Sequence, residues 1–269
     1  MLIRLGHSSD PDDAFMVWAL ATGAVDTRGF EFELVASDIQ TLNEWALEGR
    51  LDVTALSAAA YPRVHERYAL LPHGASIGAG YGPIVVTREQ RSLDELRELE
   101  IVVPGKLTTA FLVLGLALGG PFAYRERDFR QILAEVRDGG ADAGLLIHEG
   151  QLTYADEGLA KSLDLGEWWS AETGLPLPLG VNVVKRDVAR VSELSDVIGA
   201  SIEEGLAHRD DALAYARRFA RGLDEPLADR FVGMYVNELT QDYGELGRRA
   251  FAELMRRAGA RVDADFIGG

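Results

Sequence analysis

Gly144-Leu145-Leu146-Ile147-His148-Glu149 is an apolar run that opens on glycine and stops on a histidine. Short continuous runs of this kind read as interior strands of a parallel sheet, buried on both faces. In open α/β sheets, ligands bind just beyond the carboxyl ends of the strands. The strand therefore delivers His148 to the edge where chemistry is done, and an imidazole there exchanges protons near neutral pH. His148 is the first candidate for a catalytic group. Glu149 follows directly, but neighbours on an extended strand point to opposite faces and need not cooperate.

Outward from this strand, the chain alternates strands and helices, the pattern of a parallel α/β sheet. On the amino-terminal side the expected strands are Leu2–Gly6, Phe30–Ser37, Val53–Leu56, Leu70–Leu71, Ile84–Thr87 and Glu100–Val103. The helices between them are Pro11–Thr22, Ile39–Glu48, Ala58–Tyr68 and Leu93–Leu99, then Thr109–Leu118 and Phe129–Asp138. Leu163–Leu165 and Leu179–Lys185 are later strands. Helices follow near Ser192–His208, Asp210–Arg221, Pro226–Val236 and Gly244–Ala258. The pattern restarts after Thr87, which predicts two α/β lobes, the second inserted into the first. Lobe I comprises residues 1–84 and 186–269, and lobe II residues 85–185. Both crossings lie beside Gly and Pro, where hinges form, and a cleft between the lobes is the expected ligand site.

Composition narrows the function. A net charge of −16 argues against nucleic acid, whose binding needs concentrated Lys and Arg. It also means that an anionic ligand must be held by local dipoles and hydroxyls against the overall field. The longest apolar run, Phe111–Leu118, is too short to span a bilayer. Met1 leads straight into strand-like Leu2-Ile3-Arg4-Leu5, and no cysteine is present, so a cytoplasmic protein without membrane partners is expected. No phosphate loop, dinucleotide fingerprint or Ser-His-Asp order is present, and Gly78-Ala79-Gly80-Tyr81-Gly82 precedes a strand rather than opening a helix. No metal or organic cofactor is expected.

Three segments could complete a site with His148. In Gly6-His7-Ser8-Ser9-Asp10-Pro11-Asp12-Asp13, Asp10 reads as a helix N-cap, with Pro11 at the first helical position and Asp12 and Asp13 complementing the positive helix end. His7 and Ser8, at a strand's carboxyl end, are candidate ligand contacts. In Thr54-Ala55-Leu56-Ser57-Ala58-Ala59-Ala60-Tyr61, Ser57 is either a plain N-cap or part of a helix start open to a carboxylate or carbonyl. In Val103-Pro104-Gly105-Lys106-Leu107-Thr108-Thr109-Ala110, Thr108 and Thr109 pose the same choice, with Lys106 the one strong positive charge nearby. His65 and His208 fall on charged helices and His73 in a loop, all expected at the surface.

The run Thr41-Leu42-Asn43-Glu44-Trp45-Ala46-Leu47-Glu48-Gly49-Arg50-Leu51 with Leu56-Ser57 and Ala59-Ala60-Tyr61 resembles the 1,4-dihydroxy-6-naphthoate synthase family of the futalosine route to menaquinone. The resemblance continues through Val103-Pro104-Gly105, Thr108-Thr109-Ala110, Ile147-His148-Glu149, Trp168-Trp169, Thr173-Gly174-Leu175-Pro176-Leu177-Pro178-Leu179-Gly180 and Tyr235-Val236-Asn237. It implies a periplasmic-binding-protein-like fold (type II), two α/β lobes with an interlobe cleft. It also implies a carbon–carbon lyase that splits cyclic de-hypoxanthine futalosine to 1,4-dihydroxy-6-naphthoate. The resemblance makes His148 the general base, and it makes Ala55-Leu56-Ser57 and Thr109-Ala110 contacts of a small carboxylate substrate. A monomer or homodimer is expected. The alternatives are a solute-binding protein for a small aromatic carboxylate, or the sister activity, chorismate dehydration.

Overall fold

A computed structural model describes residues 1–220, 223–262 and 264–268. In chain order the first elements are β1 (Leu2–Ser8), α1 (Pro11–Met16), α2 (Trp18–Thr22), β2 (Glu31–Ser37), α3 (Ile39–Glu48), β3 (Val53–Ser57), β4 (Tyr68–Leu70) and β5 (Ser76–Gly78). They are followed by β6 (Ile84–Thr87), α4 (Leu93–Arg97), β7 (Ile101–Val103), α5 (Thr109–Ala117), β8 (Tyr124–Glu126), α6 (Phe129–Arg137) and β9 (Ala143–Leu146). Next come α7 (Gly150–Thr153), β10 (Ala160–Asp164), α8 (Leu165–Thr173) and β11 (Leu177–Lys185). The chain closes with α9 (Val191–Ala207), α10 (Arg209–Ala216), α11 (Glu225–Tyr235), α12 (Glu238–Gln241) and α13 (Gly244–Arg257). Among the described residues, no helix is long and apolar enough to cross a membrane.

The chain divides into two compact units, Met1–Ile77 with Pro178–Gly269, and Gly78–Leu177. Both crossings fall earlier than the expected boundaries at 84/85 and 185/186. At the second, β11 pairs antiparallel with β3 and β4 along much of its length, which makes it a strand of the first unit's sheet. At the first, Tyr81 and Gly82 pack backbone to backbone against α8. A Cβ on Gly166 would lie 2.0 Å from the Tyr81 carbonyl oxygen, so a glycine is required there.

The first unit holds a sheet ordered β2-β1-β3-β11-β4, with β5 paired to β11. β1 runs parallel to β2 from Leu2↔Glu31 to Ser8↔Ser37, and parallel to β3 at Leu5↔Val53 and Gly6↔Thr54. The carboxyl ends of β1 and β3 therefore lie side by side. Gly6 makes this neighbourhood possible, because a Cβ there would come within 2.4 Å of Leu51 and 2.9 Å of Thr54 Oγ1. Ile3, Leu5, Val53, Leu194, Val197 and Ile198 form the core between sheet and helix α9, each such burial contributing roughly 1.5–3 kcal/mol.

Two expected helices are interrupted. Pro11–Thr22 splits at Val17, where Ser201 Oγ donates at 2.8 Å to the Met16 carbonyl that a continuous helix would have used. Ala58–Tyr68 is only a 3₁₀ turn over Ala58–Arg63. Pro62 has no N–H to give and biases Tyr61 away from helical geometry, so Tyr68 is free to begin β4. In the carboxyl-terminal run, α10 stops at Ala216 and a 3₁₀ turn covers Arg217–Phe219. The expected end of that helix, Arg221, lies outside the described residues.

The second unit holds a sheet ordered β10-β6-β9-β7-β8. β9 and β8 both run parallel to β7, while β6 is antiparallel to β9 and to β10. The opening segment is indeed a fully buried interior strand, but it spans Ala143–Leu146. Gly144 is needed because α6 packs straight onto β9: a Cβ would sit 2.6 Å from Ile132 Cγ2 and 2.8 Å from Val136 Cγ2. Five short or irregular elements lie outside the strands and helices expected from the sequence, namely β5, β8, α7, α8 and α12. Of these, α8 does carry end signals, an Asp164 cap accepting from Gly166 and Glu167 N–H and Gly174 at φ +67°.

Candidate active site

In the first unit, the carboxyl edge of the sheet is built from the ends of β1 and β3. The strand β1 continues two residues beyond Gly6, so His7 and Ser8 are part of it. His7 is buried, 4 % exposed, with Nδ1 2.8 Å from the Ser8 carbonyl and its ring edge-on to Phe219 at 5.7 Å. That hydrogen bond places the proton on Nδ1 and leaves Nε2 as an acceptor. Burial lowers the His7 pKa, outweighing the Ser8 carbonyl and Asp10, so the ring is neutral at pH 7. Ser8 is also buried, with its N–H donating to Asp13 Oδ2 at 2.6 Å and its hydroxyl to Asp10. Asp10 occupies the N-cap position, as expected, yet its side chain makes no capping bond. Ser8 takes that carboxylate instead, so the Asp cluster ties strand end to helix start. Asp12 accepts from Ser76 Oγ at 3.3 Å. Among the described residues no group of His, Asp and Glu is arranged to hold a metal.

Ala55, Leu56 and Ser57 end β3, all buried. Ser57 makes no side-chain cap for the 3₁₀ turn that follows. It is held instead by Asn43 on α3, which is completely buried: Ser57 N–H donates to Oδ1 at 2.8 Å, and Nδ2 donates to Ser57 Oγ at 3.0 Å. Asn43 was not singled out as a site residue from the sequence. Its signal was there, since a polar Asn on the stripe that includes Ile39 and Ala46 needs a buried partner.

In the second unit, the parallel pairing of β7 and β9 (Ile101↔Ala143, Val102↔Gly144) brings their carboxyl ends to one edge. From β7 the chain passes through Pro104–Leu107 to Thr108, the N-cap of α5. Its hydroxyl accepts from Phe111 N–H at 3.1 Å and donates to the Gly105 carbonyl at 2.8 Å. Thr109 and Ala110 are buried at the first two helical positions, whose N–H groups have no intrahelical acceptor. Lys106 is exposed and lies 3.8 Å from Glu126.

From β9 the chain reaches His148 two residues beyond the strand's end, where the backbone takes the left-handed conformation, φ +58°. His148 is therefore in a turn rather than in the strand. Its ring meets Phe129, the first residue of α6, edge-to-face at 4.8 Å. Of the other histidines, His208 is exposed and pairs with Glu204 at 3.0 Å, and His65 is half-buried with Nδ1 3.0 Å from the Pro62 carbonyl. His73 overturns the surface expectation: it is 7 % exposed, hydrogen-bonded through Nε2 to Ser195 Oγ at 3.1 Å. Burial pushes its pKa down to about 4.

A cavity of about 600 Å³ in the first unit is lined by Arg63, Arg67, Lys185, Arg186, Glu48 and Glu66, among others. It lies by Lys185, at the opposite end of β11 from Gly180, which pairs with Ser57. None of the candidate site residues lines it.

Comparisons with known proteins agree with this architecture. Residues 3–260 match the family described as menaquinone biosynthesis. A 1,4-dihydroxy-6-naphthoate synthase of Thermus thermophilus is 42% identical over 96% of this chain and 94% of its own, and one of Streptomyces coelicolor is 37% identical over 96% and 93%. A crystal structure of an Archaeoglobus fulgidus protein superposes with a TM-score of 0.91 at 44% identity, covering 97% of each chain. A Candida albicans protein described as having the generic periplasmic-binding-protein fold matches at a TM-score of 0.73 and 12% identity, covering 98% of this chain and 92% of its own. The aliphatic sulphonate-binding protein of Escherichia coli matches at 0.66 and 13%, covering 97% and 94%. At that identity such matches show the fold alone, and the fold is periplasmic-binding-protein-like. The chain belongs to the menaquinone-biosynthesis family that includes the 1,4-dihydroxy-6-naphthoate synthases.

Proposed function

We propose that this chain is a 1,4-dihydroxy-6-naphthoate synthase, a carbon–carbon lyase that splits cyclic de-hypoxanthine futalosine and releases the naphthoate. His148 acts as the general base. Neutral imidazole removes a proton from a hydroxyl or carbon of the sugar-derived part, the cyclic system breaks down, and aromatisation of the naphthoate drives the cleavage. General-base catalysis supplies roughly 10²–10⁴-fold, and orientation of the bound substrate supplies much of the remainder. Ala55, Leu56 and Ser57 are substrate contacts, as are Thr108, Thr109 and Ala110, and His7 and Ser8 at the end of β1.

The observation that carries the assignment is the backbone of His148. A non-glycine residue in the left-handed region costs about 1–2 kcal/mol, and such conformations concentrate where a side chain must be aimed. His148 adopts one at the carboxyl edge of a sheet, beside the strand that leads to Thr108. The shared name of two relatives at 42% and 37% identity supports the reaction.

The test is incubation with cyclic de-hypoxanthine futalosine and mass analysis of the products, for the wild type and for His148→Ala. The expected result is release of 1,4-dihydroxy-6-naphthoate, with kcat reduced about 10²-fold or more in the variant. Normal turnover by His148→Ala would sink the base assignment. Loss of water from chorismate, with no reaction of the futalosine derivative, would move the chain to the sister activity.

A further inference from the structure

We infer that Asn43 is a positioning residue that sets the polarity of the Ser57 hydroxyl, turning it into a hydrogen-bond donor for an anionic oxygen of the ligand. The inference rests on the proposed role of Ser57 in binding the substrate.

The argument needs only the two hydrogen bonds between these residues. A backbone N–H can do nothing but donate, so the Asn43 atom 2.8 Å from Ser57 N must be the carbonyl oxygen. That fixes which way the Asn43 amide faces. The other end, 3.0 Å from Ser57 Oγ, is then the NH₂ group, and it can only donate. Ser57 Oγ is therefore an acceptor towards Asn43, and its own proton must point elsewhere. Neither bond to Asn43 takes that proton, which is left for a ligand. Asn43 has no exposure and its α3 helix also buries Leu42 and Ala46, so the amide cannot swing out and reverse the arrangement.

The consequence is specific to ligand chemistry. A serine hydroxyl free to rotate offers either a proton or a lone pair. This one has a lone pair held by Asn43 and keeps its proton at the carboxyl end of β3, which suits a carboxylate oxygen. In a chain with a net charge of −16, a donor locked in this way holds an anion without a compensating cation.

The decisive variant is Asn43→Asp, almost the same in shape. Its carboxylate can still accept from Ser57 N–H, but the second oxygen now takes the Ser57 proton and turns the lone pairs toward the ligand. Titration calorimetry with 1,4-dihydroxy-6-naphthoate, and kinetics with cyclic de-hypoxanthine futalosine, should show Kd and KM raised about 10–100-fold, with kcat far less affected. A buried carboxyl has a raised pKa, and once protonated it can donate to Ser57 Oγ as the amide did. Binding by Asn43→Asp should thus recover as pH falls toward 5, a recovery that a merely structural defect would not show. A variant that binds within twofold of wild type, or stays weak to the same extent at every pH, overturns the inference, provided Ser57→Ala weakens binding. If Ser57→Ala binds normally, the assignment of Ser57 as a ligand contact fails instead. Neutron diffraction of the unaltered protein gives a second measurement that no folding defect can confound. A deuteron on Ser57 Oγ aimed away from Asn43 supports the inference, and one aimed at Asn43 overturns it.

Discussion

The buried imidazole of His73 should make stability fall as the solution is acidified. Its ring is 7 % exposed and bonded to Ser195 Oγ, while Nδ1 is buried with no hydrogen-bond partner. Protonation would place a charged N–H there without an acceptor. Burial is the largest influence on the group and lowers its pKa from 6.5 to about 4; Ser195, Asp196 and Asp242 act in the opposite direction without overcoming it. The unfolded chain then binds a proton at a higher pH than the native one, so stability is complete above pH 6.5 and drains away as pH falls toward 4. The span between those values, at about 1.4 kcal/mol per pH unit, amounts to roughly 3 kcal/mol. Carboxylates add their own acid dependence, so the assay compares the wild type with His73→Asn by urea denaturation at steps from pH 7.5 to 4.5. At neutral pH the variant is the less stable protein, having lost the Ser195 bond and its packing against Gly199. The gap should narrow by roughly 3 kcal/mol as pH falls. A gap that stays constant over this range refutes the argument.

Two further outcomes follow from backbone and packing. Replacing His148 by Gly relieves the left-handed strain at φ +58°, whereas Ala keeps it, so the Gly variant should be about 1 kcal/mol the more stable in denaturant titrations; the reverse order contradicts the strain assignment. Gly144→Ala forces a methyl to within 3 Å of Ile132 and Val136. It should cost about 1–3 kcal/mol, read as a lowered thermal midpoint.

The sheets were legible because buried strands are short apolar runs, and those runs fall where β1, β3, β6, β7 and β9 lie. What escaped the sequence depended on partners far along the chain. β8 is three residues with an exposed pattern, and only its ladder with β7 makes it a strand. Val17 breaks a helix because of Ser201, 184 residues later. His148 read as the last residues of its strand, yet the strand stops at Leu146 and the chain turns left-handed before the four-residue helix α7. Histidine enters that region more readily than most non-glycine residues, but a lone histidine after an apolar run does not announce a turn. The three carboxylates at Asp10–Asp13 read as helix-end chemistry, but Ser8 claims two of them through its own N–H and hydroxyl.

Ser57 and Thr108 show where sequence reasoning reaches its limit at the site. Each hydroxyl ends a strand and precedes a helical turn, so from sequence each is a cap or a ligand contact with nothing to separate the two. The structure separates them through their neighbours. Thr108 uses its proton and one lone pair on backbone three residues away in either direction. What that segment can offer a ligand is therefore the N–H groups of the helix start, not the Thr108 hydroxyl. Ser57 spends its hydroxyl lone pair on Asn43, fourteen residues back on another element, and keeps the proton. Both segments thus keep donors, the Ser57 proton in one and the N–H groups of the α5 start in the other. In a chain of net charge −16, uncharged donors such as these suit a carboxylate, because any carboxylate of the chain's own that faced the ligand would repel it.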